Sequence, residues 1–575
     1  MRAIVCVLLL FLMVFPLLAN NQLEMQQFAQ TSEGNLLAWV VFKDKGGQNL
    51  ALFKASDLVS ARSLERRQLR RPNRPLVEYS DLPVFQPYLE EIKNRVRKVR
   101  VVSRWLNAVS VEASANDLQQ ISQLDFTLTV EPLLVADRVK RDKIEKRPEV
   151  ASSVATQEID TLFYGASFNQ LDLINVPFLH QKNLHGEGVL IAMLDDGFNL
   201  LNHHIAFDSL DVLSTHDFIH GDDDVTDSEF KAFEGWHGTM TLSAIAGYVP
   251  SKLIGPAYKA QFLLAKTEVD QSETPVEEDY WVAGIEWAEQ QGADIVSSSL
   301  GYIDWYNWSD LDGETAKVTI AADMAVEKGV IVFNSAGNEG DHQDHNTLLA
   351  PADGFKVLAV AAVDQFGLRA GFSSVGPTAD GRVKPDIAAM GRFVYVASHT
   401  NAQEFSYRSG TSFSCPLAAG GAALLLQAFP QTTPEMMARA LKETASQAAF
   451  PDKFLGWGVI DLEKAYYFLD TAKVVYPPLQ GEHLAVYQST PNPVSNIAKI
   501  PFQIYYPSLV EVRIFDVSGR KICSLGTKFR RAQRIQYELL DARNLASGTY
   551  LYMVLVRELG TGKILRKTGK LVVLH

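Results

Sequence analysis

From about Gly165 to Tyr476, short apolar runs alternate with segments of helical periodicity, an order that few folds can accommodate. GVLIAML (188–194), AQFLLAKTEV (260–269), ADIVSSSLG (293–301), GVIVFNSAG (329–337) and KVLAVAAVD (356–364) are strand-like, whereas VEEDYWVAGIEWAEQQ (276–291) and AKVTIAADMAVEKG (316–329) are helix-like. Strands that are apolar on both faces must be covered on both faces, so the pattern predicts an α/β architecture, a doubly wound parallel sheet between helices. Functional residues of such a sheet gather beyond the carboxyl ends of its strands.

The flanks read differently. Arg2, an apolar stretch to Leu18 and a final Leu-Leu-Ala predict a signal peptide over residues 1–20, and hence export. Residues 21–137 contain extended apolar segments from Leu36 to Phe53. A strand–helix–strand pattern follows over VRVVSRWLNAVSVEA, NDLQQISQL and FTLTVEPL, together predicting a small α+β unit. Residues 138–163 are rich in charged and small polar side chains and predict a linker; residues 164–470 form the α/β domain, and 471–484 a Pro/Gly-bearing connector. Residues 485–575 alternate with period two and predict an antiparallel β-sandwich. No later segment has the apolar length of a transmembrane helix. Cys415 and Cys523 sit in unrelated contexts, which excludes a disulfide scaffold.

Charge divides the chain as the patterns do. The net charge is +4 over residues 21–150, −26 over 151–480 and +8 over 481–575. The acidic centre excludes nucleic acid as its main partner. Either the basic ends dock on it or the acid serves solubility.

Four motifs carry chemistry. GVLIAMLDDGFN ends an apolar strand in Asp195, which places a carboxylate at the sheet's carboxyl edge. WHGTMTLSAIAG sets His237 at the start of a small-residue helix, and VIVFNSAGNEG runs a buried strand out into Asn338. SGTSFSCPLAAG sets Ser412 at another helix start, where unsatisfied N–H groups favour developing negative charge. Each motif alone reads more often as a cap, a turn or a structural hydrogen bond. Together they gather an acid, an imidazole, a carboxamide and a hydroxyl at one sheet edge.

In their chain order Asp, His, Asn, Ser, and with SSSLG (297–301), FSSVGP (372–377) and KPDIAAMG (384–391), these motifs resemble the subtilisin-like serine proteases, the subtilases of peptidase family S8, from about Tyr164 to Phe468. Two positions depart from that family's usual pattern. Asp196 stands where most members have Ser or Thr, although the proprotein-convertase branch also has Asp, and Met390 replaces a usual Pro. The resemblance implies a serine endopeptidase acting on protein or peptide substrates, with Ser412 as nucleophile, His237 as general base, Asp195 as its orienting carboxylate and Asn338 as oxyanion donor. It further implies that substrate lies along Ser299, Leu300 and Gly301, that Gly337 lines the first pocket, and that Leu349 forms a floor. An apolar floor favours a large uncharged residue before the cut, while Glu339 nearby favours a basic one. No cofactor is required by the resemblance, and calcium is the ion it allows, with HGDDDVTD (220–227) and GDHQDH (340–345) as acidic loops. Cys415 reads as a small buried hydrophobe.

Residues about 35–136 resemble the subtilase propeptide, an intramolecular inhibitor whose final strand enters the active site, with the maturation cut expected between Asp137 and Tyr164. TPNPVSN (490–496), FDVSGRKI (515–522), LASGTYLY (545–552) and KTGKLVVL (567–574) resemble the type IX secretion sorting domain of Bacteroidetes, which implies passage through the periplasm to the exterior or the cell surface. The competing reading of the whole chain is a surface adhesion or scaffold protein on a catalytically silent fold of the same family.

Overall fold

The computed structural model describes residues 28–31, 33–72, 74–133, 162–226, 235–269, 274–340, 347–471, 484–504, 508–530, 535–558 and 563–575. The expected signal peptide, residues 138–161 of the stretch expected to hold the maturation cut, and the loop at 341–346 lie outside the described residues.

The centre is a seven-stranded sheet in the order Ile387–Met390, Leu358–Val363, Ile331–Ser335, Ile295–Ser298, Leu190–Asp195, Gln261–Lys266, Asp211–Asp217. Every neighbouring pair is parallel. Leu190–Asp195 shows why the strands are apolar throughout. All of its residues are buried, with Leu190, Ala192 and Leu194 packed into one core and Ile191 and Met193 into the other. The helix Thr411–Ala428 covers the second of these faces, and Val276–Gln291 and Lys317–Glu327 cover the first. Strand order reverses between Leu190–Asp195 and Ile295–Ser298, and at that reversal an open α/β sheet forms its crevice.

The N-terminal unit is a four-stranded antiparallel sheet ordered Lys98–Ser103, Ala108–Ala113, Leu36–Phe42, Thr127–Pro132. The stretch read as one strand, VRVVSRWLNAVSVEA, is instead a hairpin. Asn107 takes a φ of +50°, which Asn tolerates better than most residues, and its amide donates to the carbonyls of Phe42 (3.1 Å) and Asp44 (2.8 Å).

This sheet docks on Val276–Gln291, and the helix Ala61–Arg70 docks beside it through a buried ionic network. Arg66 and Arg67 both reach Glu289, Arg67 at 2.9 Å, and Arg67 also holds Asp81 at 2.7 and 2.9 Å. Arg70 and Arg62 hold Asp294 at 2.8 and 3.0 Å, while the same carboxylate accepts the Leu190 N–H at 2.8 Å. Asp294 therefore ties the basic helix to the foot of the strand that ends in Asp195. Ser110 bonds Asp279, Ser103 bonds Glu286, and Trp105 enters an apolar core of the seven-stranded sheet.

Two antiparallel sheets close the chain. Leu484–Val486, Ile497–Ile504 and Ile535–Asp541 form one, and Lys521–Arg530, Ser508–Asp516, Gly548–Glu558 and Ile564–Val573 form the other, around a shared apolar core. Among the described residues, no helix is long and apolar enough to cross a membrane.

Candidate active site

Asp195 is the last residue of its strand and fully buried. Its carboxylate cannot remain there unpaired, and two donors from one helix satisfy it: His237 Nδ1 at 2.6 Å and the Thr241 hydroxyl at 2.7 Å. Both come from Trp236–Ala246, four residues apart and hence on one helical face. The helix approaches this closely because residue 238 is glycine; a Cβ there would overlap the Gly197 carbonyl.

Asp196 supports the same helix. Its carboxylate accepts the N–H groups of His237 (3.1 Å) and Gly238 (2.8 Å), so it caps a helix that has no side-chain cap of its own. Asp196→Ala is expected to cost about 0.5–2 kcal/mol, read as a lowered midpoint in thermal denaturation. Asp195, Asp196 and His237 form a group whose ligand atoms lie within 4.8 Å of one another, the spacing of a metal site. Both carboxylates already accept N–H and O–H donors of this helix, which does not fit a cation there.

Ser412 is the second residue of Thr411–Ala428, in the first turn where N–H groups lack intrahelical partners. Pro416 sits four residues on, and its missing N–H leaves the Ser412 carbonyl without a helical donor. The Ser299 hydroxyl fills that vacancy at 2.8 Å, and the Ser412 hydroxyl donates back to the Ser299 carbonyl at 3.3 Å. The nucleophile candidate is thereby clamped to the end of Ile295–Ser298. The structure brings carboxylate and imidazole into contact, whereas the hydroxyl's acceptor is Ser299. The His237 and Phe413 rings lie 6.2 Å apart.

Asn338 is exposed and its orientation is set. Its carboxamide oxygen accepts the Thr411 N–H (2.9 Å) and hydroxyl (3.0 Å), and its Nδ2, with no acceptor among the described residues, lies 3.7 Å from the position a Cβ would take on Gly410 at the helix start. Ser299, Leu300 and Gly301 leave the sheet together. Leu300 is buried in the core and its carbonyl accepts from Asn334 at 2.9 Å, while the Gly301 backbone has no hydrogen bond among the described residues. Leu349 lies against both Gly301 and Gly337. Cys415 is buried 3.4 Å from the Ser298 carbonyl, and burial pushes its thiol up to about 12, as expected of an inert side chain.

The acidic loop after Asp217 turns its carboxylates on its own backbone. Asp217 accepts the N–H groups of Ile219 (2.7 Å) and His220 (3.1 Å), and Asp224 accepts that of Thr226 (2.9 Å). Reading residue by residue missed Thr241, Thr411 and the Ser299 hydroxyl. Only Pro416, four positions after Ser412, announces in the sequence that a carbonyl there needs an outside donor.

Against this geometry, comparison with known proteins is decisive. Residues 186–458 match the family model described as the subtilase family, peptidase S8. This segment is a subtilase domain. Residues 37–149 match the peptidase S8 propeptide domain of Bacteroidota, and residues 486–567 match a secretion system C-terminal sorting domain, which marks a chain for secretion or surface attachment. The subtilase domain is similar to subtilisin DY of Bacillus licheniformis, 36% identical over 185 residues that cover 32% of this chain and 61% of that one. Subtilisin NAT of Bacillus subtilis subsp. natto is 29% identical over 330 residues, covering 56% and 77%. Among solved structures, a protease of Pseudoalteromonas arctica PAMC 21717 matches with a TM-score of 0.42 and 23% identity, over 53% of this chain and 99% of that one.

Proposed function

We propose that the chain is a secreted serine endopeptidase made as a zymogen. The observation that carries this reading is the 2.6 Å Asp195–His237 bond at the sheet's crevice, beside the helix start that presents Ser412. Asp195 fixes the proton on His237 Nδ1, which leaves Nε2 as the base. The Ser412 hydroxyl gives its proton to Nε2 and its oxygen bonds the scissile carbonyl carbon. The resulting oxyanion accepts from the Ser412 N–H and the Asn338 NH₂ group. Collapse expels the amine, which takes the proton from His237. Water then enters by the same route, its proton passing to His237 and on to Ser412 Oγ as the acyl–serine bond breaks, and the acyl group leaves as the acid.

The propeptide match and the buried arginine network support a precursor held with its N-terminal unit on the enzyme, and the sorting-domain match supports export through a type IX secretion system. Calcium remains the ion a subtilase domain allows, and the reaction needs none.

The mature protein is expected to digest casein. Asn338→Ala is expected to lower kcat by about 10²–10³ with little change in KM, a magnitude transferred from the corresponding donor of subtilisin. Intact casein after prolonged incubation would instead favour the silent scaffold.

A further inference from the structure

We propose that Leu349 limits the residue preceding the cut bond to the size of glycine, alanine or serine. This inference rests on the protease reading above and departs from the roomy apolar floor expected of the sequence.

A peptide whose carbonyl reaches Ser412 and Asn338, and whose backbone runs along Gly301, sends the side chain before the cut between two stretches of chain, Ser299–Gly301 and Gly337–Asn338. Both stretches carry a glycine at the slot, which would leave room for a broad side chain if the slot were empty. It is filled. A Cβ at Gly301 would lie 2.6 Å from Leu349 Cβ and 2.9 Å from its Cδ1, and a Cβ at Gly337, whose φ is +109°, would lie 2.5 Å from Leu349 Cγ and 3.0 Å from the same Cδ1. One isobutyl group thus covers the bare faces of both glycines.

The backbone that carries Leu349 is pinned. Its N–H donates to the Ala336 carbonyl at 3.3 Å, and the next residue, Ala350, exchanges hydrogen bonds with Tyr302 at 2.9 and 3.0 Å. The Ser374 hydroxyl closes a further side, 2.7 Å from the Gly337 Cβ position and fixed by the Glu339 N–H at 3.0 Å. A phenyl, long aliphatic or guanidinium side chain must displace the half-buried Leu349 from the faces of Gly301 and Gly337, whereas a methyl or hydroxymethyl group rests on it.

The test uses the mature enzyme and fluorogenic peptides that differ only in the residue before the cut: Ala, Leu, Phe or Arg. The alanine peptide is expected to exceed the other three in kcat/KM by at least about 30-fold, within what steric discrimination of this kind achieves. Leu349→Gly is expected to raise kcat/KM for the phenylalanine peptide by at least about tenfold, and Leu349→Ala, the less disruptive variant, by a smaller factor in the same direction. Wild-type cleavage of the Leu, Phe or Arg peptide as fast as the Ala peptide would overturn the proposal, as would an unchanged ranking in both variants. Labelling of Ser412 by a fluorophosphonate accompanies the assay. A labelled enzyme with the wrong ranking removes this inference alone, and an unlabelled, inactive protein removes the protease reading with it.

Discussion

Ser412→Ala should lower kcat by about 10⁶, the scale on which loss of the nucleophile acts in subtilisin, a relative of this domain. In the proposed mechanism the hydroxyl is the group that exchanges covalent bonds, and neither neighbour replaces it: Ser414 turns its hydroxyl back to the Thr411 carbonyl (2.9 Å), and Cys415 is buried with its thiol pushed up to about 12. The substitution leaves the clamp through the Ser299 hydroxyl and the Ser412 carbonyl (2.8 Å) intact, so the fold should persist. The same variant should accumulate as an uncut precursor. Peptide hydrolysis and the size of the secreted protein check both statements; normal maturation would mean that another protease makes the cut.

Arg67→Ala should destabilise that uncut precursor by about 3–5 kcal/mol, because it strips the counter-charge from carboxylates sealed away from water. Arg67 is 0% exposed and holds Asp81 in a bidentate pair and Glu289 through Nε. Burial alone would raise the Glu289 carboxyl, yet the Arg66 and Arg67 charges outweigh it and hold the group at about 2. A carboxyl depressed on folding contributes stability that is fully present above its ordinary value of about 4.5 and is lost as pH falls toward 2. Urea unfolding of the Ser412→Ala precursor should therefore weaken over that window. The Arg67→Ala version should start lower and lose less, since Glu289 then titrates nearer its ordinary range. An Arg67→Ala precursor as stable as its parent would show that the network contributes little.

The candidate site residues were legible because each interrupts a run. Asp195 ends a buried strand, Asn338 follows another, and His237 and Ser412 open helices whose small residues advertise close packing. The side chains through which the N-terminal unit docks were not. ARSLERRQLR has the composition of a solvated helix, and VEEDYWVAGIEWAEQQ that of a helix with a wet acidic face. The first meets Glu289 of the second, with Ser63 and Glu289 226 positions apart, while Asp279 and Glu286 of the second are covered by Ser110 and Ser103 of the N-terminal sheet. The net charges of the segments carried that complementarity in sum but could not say which arginine meets which acid. Leu349 shows a different limit: a motif placed it at the pocket, while whether it floors or fills the pocket depends on distances to Gly301 and Gly337 that only the fold sets.

The most direct test of the central claim is covalent labelling of the mature protein by a fluorophosphonate, with the modified residue located by mass spectrometry. One adduct on Ser412, lost in His237→Ala, is the predicted result. A protein that stays unmodified, or is labelled equally well without His237, would contradict the account.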